Sequence, residues 1–145
     1  MSFANARASF NRAIGNVADA GIPILYEPHQ PWLRECYRVE WMDVAVPRDR
    51  FYEARNVRIH VQGTGTLDQE LRLERLVEQL GLPRNNAGIA ALPIYDYKTD
   101  PANPAAIGVL TVERSAVGAT FAPATVADPT LRRIVFPLVV VYRRQ

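Results

Sequence analysis

The stretch from Asn56 to Pro83 constrains the fold most, because a strand pattern, a glycine turn and a helix pattern follow one another there. Apolar and polar residues alternate from Val57 to Gln62, which is the period of a half-buried strand. Gly63-Thr64-Gly65 interrupts this alternation, and apolar residues then recur from Leu73 to Leu80 at the spacing of one helix face. The sequence therefore predicts a strand, a turn and a helix whose C-terminal stop is Gly81 followed by Pro83.

The glycine turn has a structural and a functional interpretation. Thr66 and Gln69 have the spacing of a capping box, in which two side chains satisfy free amides at the start of a helix. A turn before a helix N-terminus can also hold a phosphate, because free amides and the helix dipole favour anions. Here no lysine follows the two glycines, and no acidic residue lies at the distance of a ribose contact. The pattern favours a structural turn.

Length and composition indicate a single domain over residues 1–145 and argue against several classes of protein. The chain has 145 residues and a formal net charge of +2, which is too small to indicate a nucleic-acid binder. No run approaches the about 20 apolar residues of a membrane span, and no signal-peptide pattern is found. Cys36 is the single cysteine, so the sequence offers neither a disulfide nor a metal-ligand spacing with His29 or His60. We expect no cofactor, no membrane and no specific nucleic-acid partner.

The first half of the chain predicts one helix and three strands. Apolar residues between Phe3 and Val17 lie within about 100° of helix circumference, the width of a face that docks on a core. Ser2 can cap this helix. Ile22–Glu27 opens a strand, and Trp32–Trp41 alternates apolar and polar residues. A charged turn at residues 47–50 then predicts a long antiparallel hairpin into the next strand.

The second half predicts two further strands and two loops. Ile107–Arg114 and Leu131–Tyr142 are apolar on both faces, whereas Lys98–Ala106 and Gly118–Pro129 are small, polar and proline-bearing. Leu92–Tyr97 is short and ambiguous between strand and loop. Together the elements predict an α+β fold, with a single mixed, mostly antiparallel sheet and the N-terminal and central helices packed on one face.

Some apolar side chains have no place in the core of such a fold, because they point away from the predicted core-facing rows of the last strand and the central helix. These candidate subunit-interface residues are Leu67, Leu71, Val135, Val139 and Val141. Pro137 cannot donate to a strand ladder, so the last strand is predicted to form an edge or a bulge there. An edge that meets a neighbouring subunit would explain both features.

The residues that could carry catalysis are few. His60 lies on the polar side of its strand, where a surface or interface histidine is more common than a base. His29 lies between prolines, and Cys36 is expected to be a buried or half-buried structural thiol. Nothing assembles a nucleophile, a base and an oxyanion donor. The residues predict a domain that contacts other proteins and is not an enzyme.

Several segments occur along the chain in an order that is typical of one family. The N-terminal helix is followed by Gly21–Pro28, by Trp32–Glu35 and by a hairpin that enters Val57–Val61. Gly63-Thr64-Gly65 precedes a leucine-rich helix, and the closing apolar strand ends in Tyr142-Arg143. Over most of its length the chain resembles the tail terminator, or tail-completion, proteins of long-tailed bacteriophages and related gene-transfer particles.

The resemblance implies a structural virion protein of the tail-neck region. Such subunits form a ring, usually hexameric, that stops tail-tube polymerisation and offers its other face to the head-tail connector. The expected partners are therefore further copies of the chain, the tail-tube protein and the connector. The loops at Arg48–Arg55 and Lys98–Ala106 are the candidate tube or connector contacts. The residues concerned are Arg48, Arg50, Arg55, Lys98 and Asp100.

Two alternatives remain open at this point. A head-completion or neck connector protein also forms rings. A small cytoplasmic enzyme or ligand-binding domain would instead use the Gly63-Thr64-Gly65 turn.

Overall fold

Two helices and seven strands make up the computed structural model, which describes residues 3–82, 89–115, 118–124 and 128–143. In chain order the elements are α1 (Phe3–Val17), β1 (Ile24–Leu25), β2 (Cys36–Pro47), β3 (Tyr52–Thr64), α2 (Thr66–Gln79), β4 (Ile89–Asp96), β5 (Ala105–Arg114), β6 (Thr120–Ala122) and β7 (Leu131–Arg143). Ser2 and Pro83, the predicted helix cap and helix stop, lie outside the described residues.

The strands form one sheet in the order β1-β2-β3-β7-β5-β4. Only the pairing of β1 with β2 is parallel, and all the other pairings are antiparallel. Strands β5 and β6 share one edge of β7: β5 pairs with Leu138–Val141, and β6 pairs with Val135, Ile134 and Arg133. The mixed, mostly antiparallel sheet predicted from the sequence is confirmed.

Both helices pack on the same face of this sheet, as predicted. Phe10 and Ile14 of α1 are fully buried, and the Phe10 ring contacts the Trp41 ring edge-on at 5.4 Å between centroids. Leu73 and Leu76 carry the apolar face of α2 into the same core. The sheet contributes its inward rows, which are Tyr37, Val39, Val57, Ile59, Val61, Ala90, Ile94, Leu110, Val112, Ile134, Phe136, Leu138, Val140 and Tyr142.

The two ends of α2 differ in how well the sequence predicts them. The capping box is wrong: Gly65 is the N-cap at φ 84°, and no side chain caps the helix. Gln69 is fully buried, and its Nε2 donates to the Thr64 carbonyl at 3.2 Å instead. At the other end the Leu82 amide donates to the Val77 carbonyl at 3.2 Å, beyond Gly81 at φ 81°. This is the Schellman stop that glycine favours.

The structure settles one ambiguous segment and differs from the predicted strands and loops in three places. The ambiguous segment at Leu92–Tyr97 belongs to β4, and β6 interrupts the loop predicted at Gly118–Pro129. The predicted loop at Arg48–Arg55 is shorter, because β3 already begins at Tyr52. The chain from Trp32 to Glu35, predicted as strand, precedes β2 and folds over the sheet.

The prediction of an edge or bulge at Pro137 is wrong. Strand β7 is central, and its ladder with β3 runs without a register shift from Tyr52–Arg143 to Thr64–Leu131. The Pro137 carbonyl accepts a hydrogen bond from the Ser115 amide at 3.4 Å, on the edge that β5 and β6 share. Since the amide and carbonyl of one strand residue point to the same edge, the missing donor of Pro137 falls between β5 and β6. The β3–β7 ladder therefore loses no hydrogen bond.

Candidate functional site

The face of the sheet opposite the helices, here called the outer face, is divided into a covered and an open half. Residues 26–35 fold over the half near Gln62 and Arg133. No helix of the described chain lies on the other half, near Ala54 and Val141. The covered half is a polar cluster and the open half is an apolar surface, so they are described in turn.

Trp32 is the centre of the covered half. Two guanidinium groups lie against its ring, with Arg38 Cζ at 4.5 Å and Arg133 Cζ at 5.0 Å from the ring centroid. The His60 ring meets it edge-on at 5.3 Å. Cation–π contacts gain strength when they are desolvated, and Arg38 is 5% exposed. Trp32 therefore closes this half against solvent.

Side chains of the sheet tie the covering segment down through its backbone. Arg38 Nη1 donates to the Glu27 carbonyl at 2.8 Å, and Nη2 donates to the Gln30 carbonyl. Gln62 is fully buried, and its Nε2 donates to the Leu33 carbonyl at 2.8 Å. Buried polar groups are stable only when they are bonded, so these contacts fix the segment.

His60 lies beneath this cover and is 6% exposed, so the surface position predicted for it is wrong. Its Nε2 lies 3.2 Å from Glu40 Oε1, while Nδ1 has no partner among the described residues. Burial lowers the pKa of His60, and the Glu40 carboxylate opposes this only in part. Cys36, as predicted, is buried, and burial raises the pKa of its thiol. Neither group is placed to act on a substrate.

The open half carries apolar side chains from four strands, here called the outer patch. Its members are Val46, Tyr52, Ala54, Val109, Val139 and Val141. Val46 is 49% exposed and Val109 is 56% exposed, whereas Val139 is half-buried. Ala54 and Val141 are buried, at 6% and 9% exposed. A shallow depression of about 330 Å³ lies at its centre, between the hairpin and β7.

One ion pair crosses the outer patch. Arg48 Nη2 lies 2.9 Å from Glu113 Oε2, so the side chain connects the β2–β3 turn with β5 across β3 and β7. Both side chains are partly exposed, and such pairs contribute at most about 1 kcal/mol to stability. Glu113 is opposite Val139, and Arg48 lines the depression beside it. The patch is thus an apolar surface with one charged bridge.

The structure divides the candidate interface residues between two surfaces. Val139 and Val141 lie together in the outer patch, and Val135 lies beside the covered half, opposite His60 and Thr120. Leu67 and Leu71 lie on α2, on the other side of the sheet, where they are 65% and 40% exposed. The five residues therefore do not form one continuous site.

Of the candidate tube or connector contacts, Arg55 has a structural position. It lies in β3 rather than in a loop, and its Cζ sits 3.7 Å from the centroid of the Phe3 ring. Its Nε donates to the Tyr142 hydroxyl at 3.1 Å. These contacts connect α1 to the sheet.

Lys98 and Asp100 lie in an exposed loop that folds on itself. Asp96 Oδ1 accepts from the Lys98 amide at 3.0 Å, and Asp100 Oδ1 accepts from the Asn103 amide at 3.1 Å. A hydrogen bond from the Thr99 hydroxyl lowers the pKa of Asp96. Such turns are stable local structures. Lys98 therefore lies in a loop whose backbone is held by these hydrogen bonds.

A groove of about 420 Å³ beside α2 has no counterpart in the sequence-based predictions. Its floor is apolar and its α2 wall carries two carboxylates, Glu70 and Glu74. The lining residues are Glu70, Leu73, Glu74, Val77, Arg114, Ser115, Gly118, Ala119, Phe121, Ile134 and Phe136. Leu67 and Leu71 lie one helical turn from these carboxylates, so the exposed face of α2 continues the groove. We call this the α2 groove.

The tip of the β2–β3 hairpin is a second feature that the sequence did not reveal. Phe51 is 54% exposed, with Arg50 Cζ at 5.7 Å and Arg143 Cζ at 6.0 Å from its ring centroid. Arg143 lies at the end of β7, 92 positions after Phe51 in the chain. Only the β3–β7 register brings the two together.

A cavity of about 560 Å³ between α1 and β4 is lined by Arg12, Asn16, Tyr95 and Asn103 among others, but by no acid or histidine. Among the described residues no group of three or more histidine, cysteine or acidic side chains could hold a metal ion. No helix of the described chain is long and apolar enough to cross a membrane.

The glycine turn before α2 is occupied by side chains of the chain itself. A Cβ atom on Gly63 would lie 2.5 Å from Gln69 Nε2 and 2.9 Å from Arg72 Nη1. Arg72 Nη1 in turn donates to Gln69 Oε1 at 3.2 Å. The turn is glycine because these two side chains pack against its backbone.

A scan against protein-family models gives no match to this chain. A search of the curated proteins gives none either.

Proposed function

We propose that this chain is a structural virion protein, a tail terminator whose ring ends tail-tube polymerisation and joins the tail to the head-tail connector. The outer patch carries the proposal: a sheet with both helices on one face leaves an apolar surface on the other. Apolar surface of this kind is typical of protein–protein contact. The order of segments along the chain, which resembles that of tail terminators, gives the contact its context.

The outer patch fits a contact in an assembly better than a ligand site. It is broad and shallow, and its central depression is lined by Val46, Ala54 and Val139 with one polar neighbour, Asn56, and one arginine, Arg48. Small-molecule sites are concave and enclose most of their ligand. A broad, mostly apolar surface instead resembles the core of a subunit interface.

A charge in the outer patch tests this function. In a phage or gene-transfer particle that carries the chain, Val139→Glu should weaken ring or tube assembly, because the carboxylate would lose its water in the contact. Electron microscopy should then reveal overlong tails, whether or not they are joined to heads. Ala4→Glu is the matched control, since Ala4 is exposed in the first turn of α1, where an added acid is tolerated.

Three results would contradict the proposal. Normal tails joined to heads in a folded Val139→Glu variant would remove the role of the outer patch. A saturable rise in melting temperature with ATP, GTP or a dinucleotide would favour the ligand-binding alternative, because ligand at 100 times its Kd adds about 2.7 kcal/mol. Tubes of normal length that fail to join heads would favour the head-completion or neck connector alternative.

A further inference from the structure

We infer that the hairpin tip of one copy of this chain docks in the α2 groove of a second copy. The hairpin tip consists of residues 48–51 with Arg143 beside it, and the α2 groove is the one defined above. This inference deepens the proposed function. It rests on that function in one respect, the expectation that the assembly closes into a ring.

The hairpin tip is a rigid aromatic projection with a basic surround. Asp49 Oδ1 accepts hydrogen bonds from the amides of Phe51 at 2.7 Å and Tyr52 at 2.9 Å, which fix the turn. The Phe51 ring projects between the guanidinium groups of Arg50 and Arg143. A rigid turn loses little conformational entropy when it binds, which favours it as an anchor.

The α2 groove has the opposite chemistry. Glu70 and Glu74 lie four residues apart on one face of α2, an arrangement in which like charges destabilise a helix. Both are exposed, and neither forms an ion pair with a residue in the described part of the chain. Between these acids and β6 the lining is apolar, with the buried Phe136 and Ile134 at its base and Phe121, which is 56% exposed, on the β6 side.

The two surfaces complement each other in size and charge. A phenylalanine side chain can bury about 150 to 250 Å², and the α2 groove, at about 420 Å³, has room for the ring and its neighbours. With Phe51 on the apolar floor, Arg50 and Arg143 would face Glu70 and Glu74. Arg114 lies on the β5 side of the groove, where its guanidinium is 5.5 Å from the centroid of the Phe136 ring. The opposite wall, formed by α2, therefore remains acidic.

The occupant must come from another copy. The tip adjoins Arg143 at the end of β7, whereas the floor of the groove includes Phe136, seven residues earlier in the same strand. At about 3.3 Å per residue the two lie about 23 Å apart. A contact between two different surfaces leaves one tip and one groove free on every pair, so it propagates head to tail until a ring closes.

Charge reversal tests this contact with the full chain. Arg50→Glu should place like charges in the contact, and so should Glu74→Arg. Each variant alone should weaken self-association about 10- to 100-fold, measured by light scattering and sedimentation over a dilution series. An equal mixture of the two variants should recover the wild-type assembly, because each tip then meets an oppositely charged groove.

Matched controls separate the contact from general charge effects. Arg12→Glu changes an exposed arginine of α1 away from both surfaces, and Glu78→Arg changes an exposed acid of α2 outside the groove lining. Both controls should assemble as the wild type does, and all variants should keep its melting temperature at low concentration.

Three results would overturn the inference: wild-type assembly by either single variant, a mixture that stays as weak as its components, or a wild-type chain that is monomeric throughout. After either of the first two results the proposed function would still hold, with the subunits associating through another interface. Failure of the Val139→Glu experiment would instead remove the proposed function while the tip–groove contact survived.

Discussion

Gly63→Ala is expected to destabilise the protein strongly, although it adds a single methyl group. The new Cβ would lie 2.5 Å from Gln69 Nε2, a distance that real Cβ atoms do not adopt. Gln69 is fully buried, so its side chain cannot swing into solvent. The clash must displace it from the Thr64 carbonyl and from Arg72.

The magnitude follows from three effects. Overpacking a core position costs about 1 to 3 kcal/mol. A buried amide that loses its partner costs about 1 to 3 kcal/mol more. Replacing glycine lowers the entropy of the unfolded chain and returns about 0.4 to 1 kcal/mol. We expect a net loss of about 3 kcal/mol, which in a chain of 145 residues lowers the melting temperature by about 10 °C.

Chemical denaturation of four variants measures this effect. Gly118→Ala is the matched control, because a Cβ there meets nothing within 4 Å. In the Gln69→Ala background the same Gly63→Ala change should cost less than about 1 kcal/mol, since the clashing amide is gone. Equal losses for Gly63→Ala in both backgrounds, or a loss no larger than that of Gly118→Ala, would refute the packing explanation.

Two further predictions concern the two faces of the sheet. Phe10→Ala should lower the free energy of unfolding by about 3 to 5 kcal/mol, measured with denaturant, because Phe10 is fully buried against Trp41. The control Leu67→Ala, at an exposed position, should change it by less than about 0.5 kcal/mol. A loss under about 1 kcal/mol for Phe10→Ala would mean that α1 docks elsewhere. The lowered pKa of His60 means that the unfolded chain binds its proton more readily, so stability should be full above about pH 6.5 and fall as the pH drops from there towards the folded pKa. His60→Gln should remove this part of the pH dependence, and an unchanged slope would contradict the burial of His60.

The sequence predicts those elements whose signal is local. The helix from Phe3 to Val17 and the strand from Val57 to Gln62 repeat their apolar residues at a fixed period, and that period suffices to define which side of each faces the core between helices and sheet. The Schellman stop at Gly81 is local as well. The fold class follows from these elements and their order.

Features that depend on distant contacts escaped prediction. Strand β6 has three residues and no alternation, so its pairing with β7 decides its conformation. The capping box at Thr66 failed because the Thr64 carbonyl and Arg72 bind the Gln69 side chain more favourably than a free amide does. The sequence around Trp32 predicts a strand. The position of Trp32 over His60 depends instead on its contact with Arg133, about a hundred positions later in the chain, which the local pattern does not contain.

The candidate site was predictable only as a list of apolar residues without a core position. Periodicity placed Val139 and Val141 on the outer face, but it could not place Glu113 beside Val139 or bring Arg48 across to it. The α2 groove and the hairpin tip each combine residues from separate strands. Their chemistry becomes visible only when the sheet register is known.

The central position of β7 also determines when the subunit can complete its folding. Tyr52 pairs with Arg143 and Thr64 with Leu131, so the partners in the middle of the sheet lie 67 to 91 positions apart in the chain. Pairing over such separations is slow, and β3 must wait until β7 has left the ribosome. Until then the apolar row of Val57, Ile59 and Val61 has no partner on that side. A newly made chain therefore cannot present a finished hairpin tip before β7 has been made, and any contact that uses the tip is delayed until then.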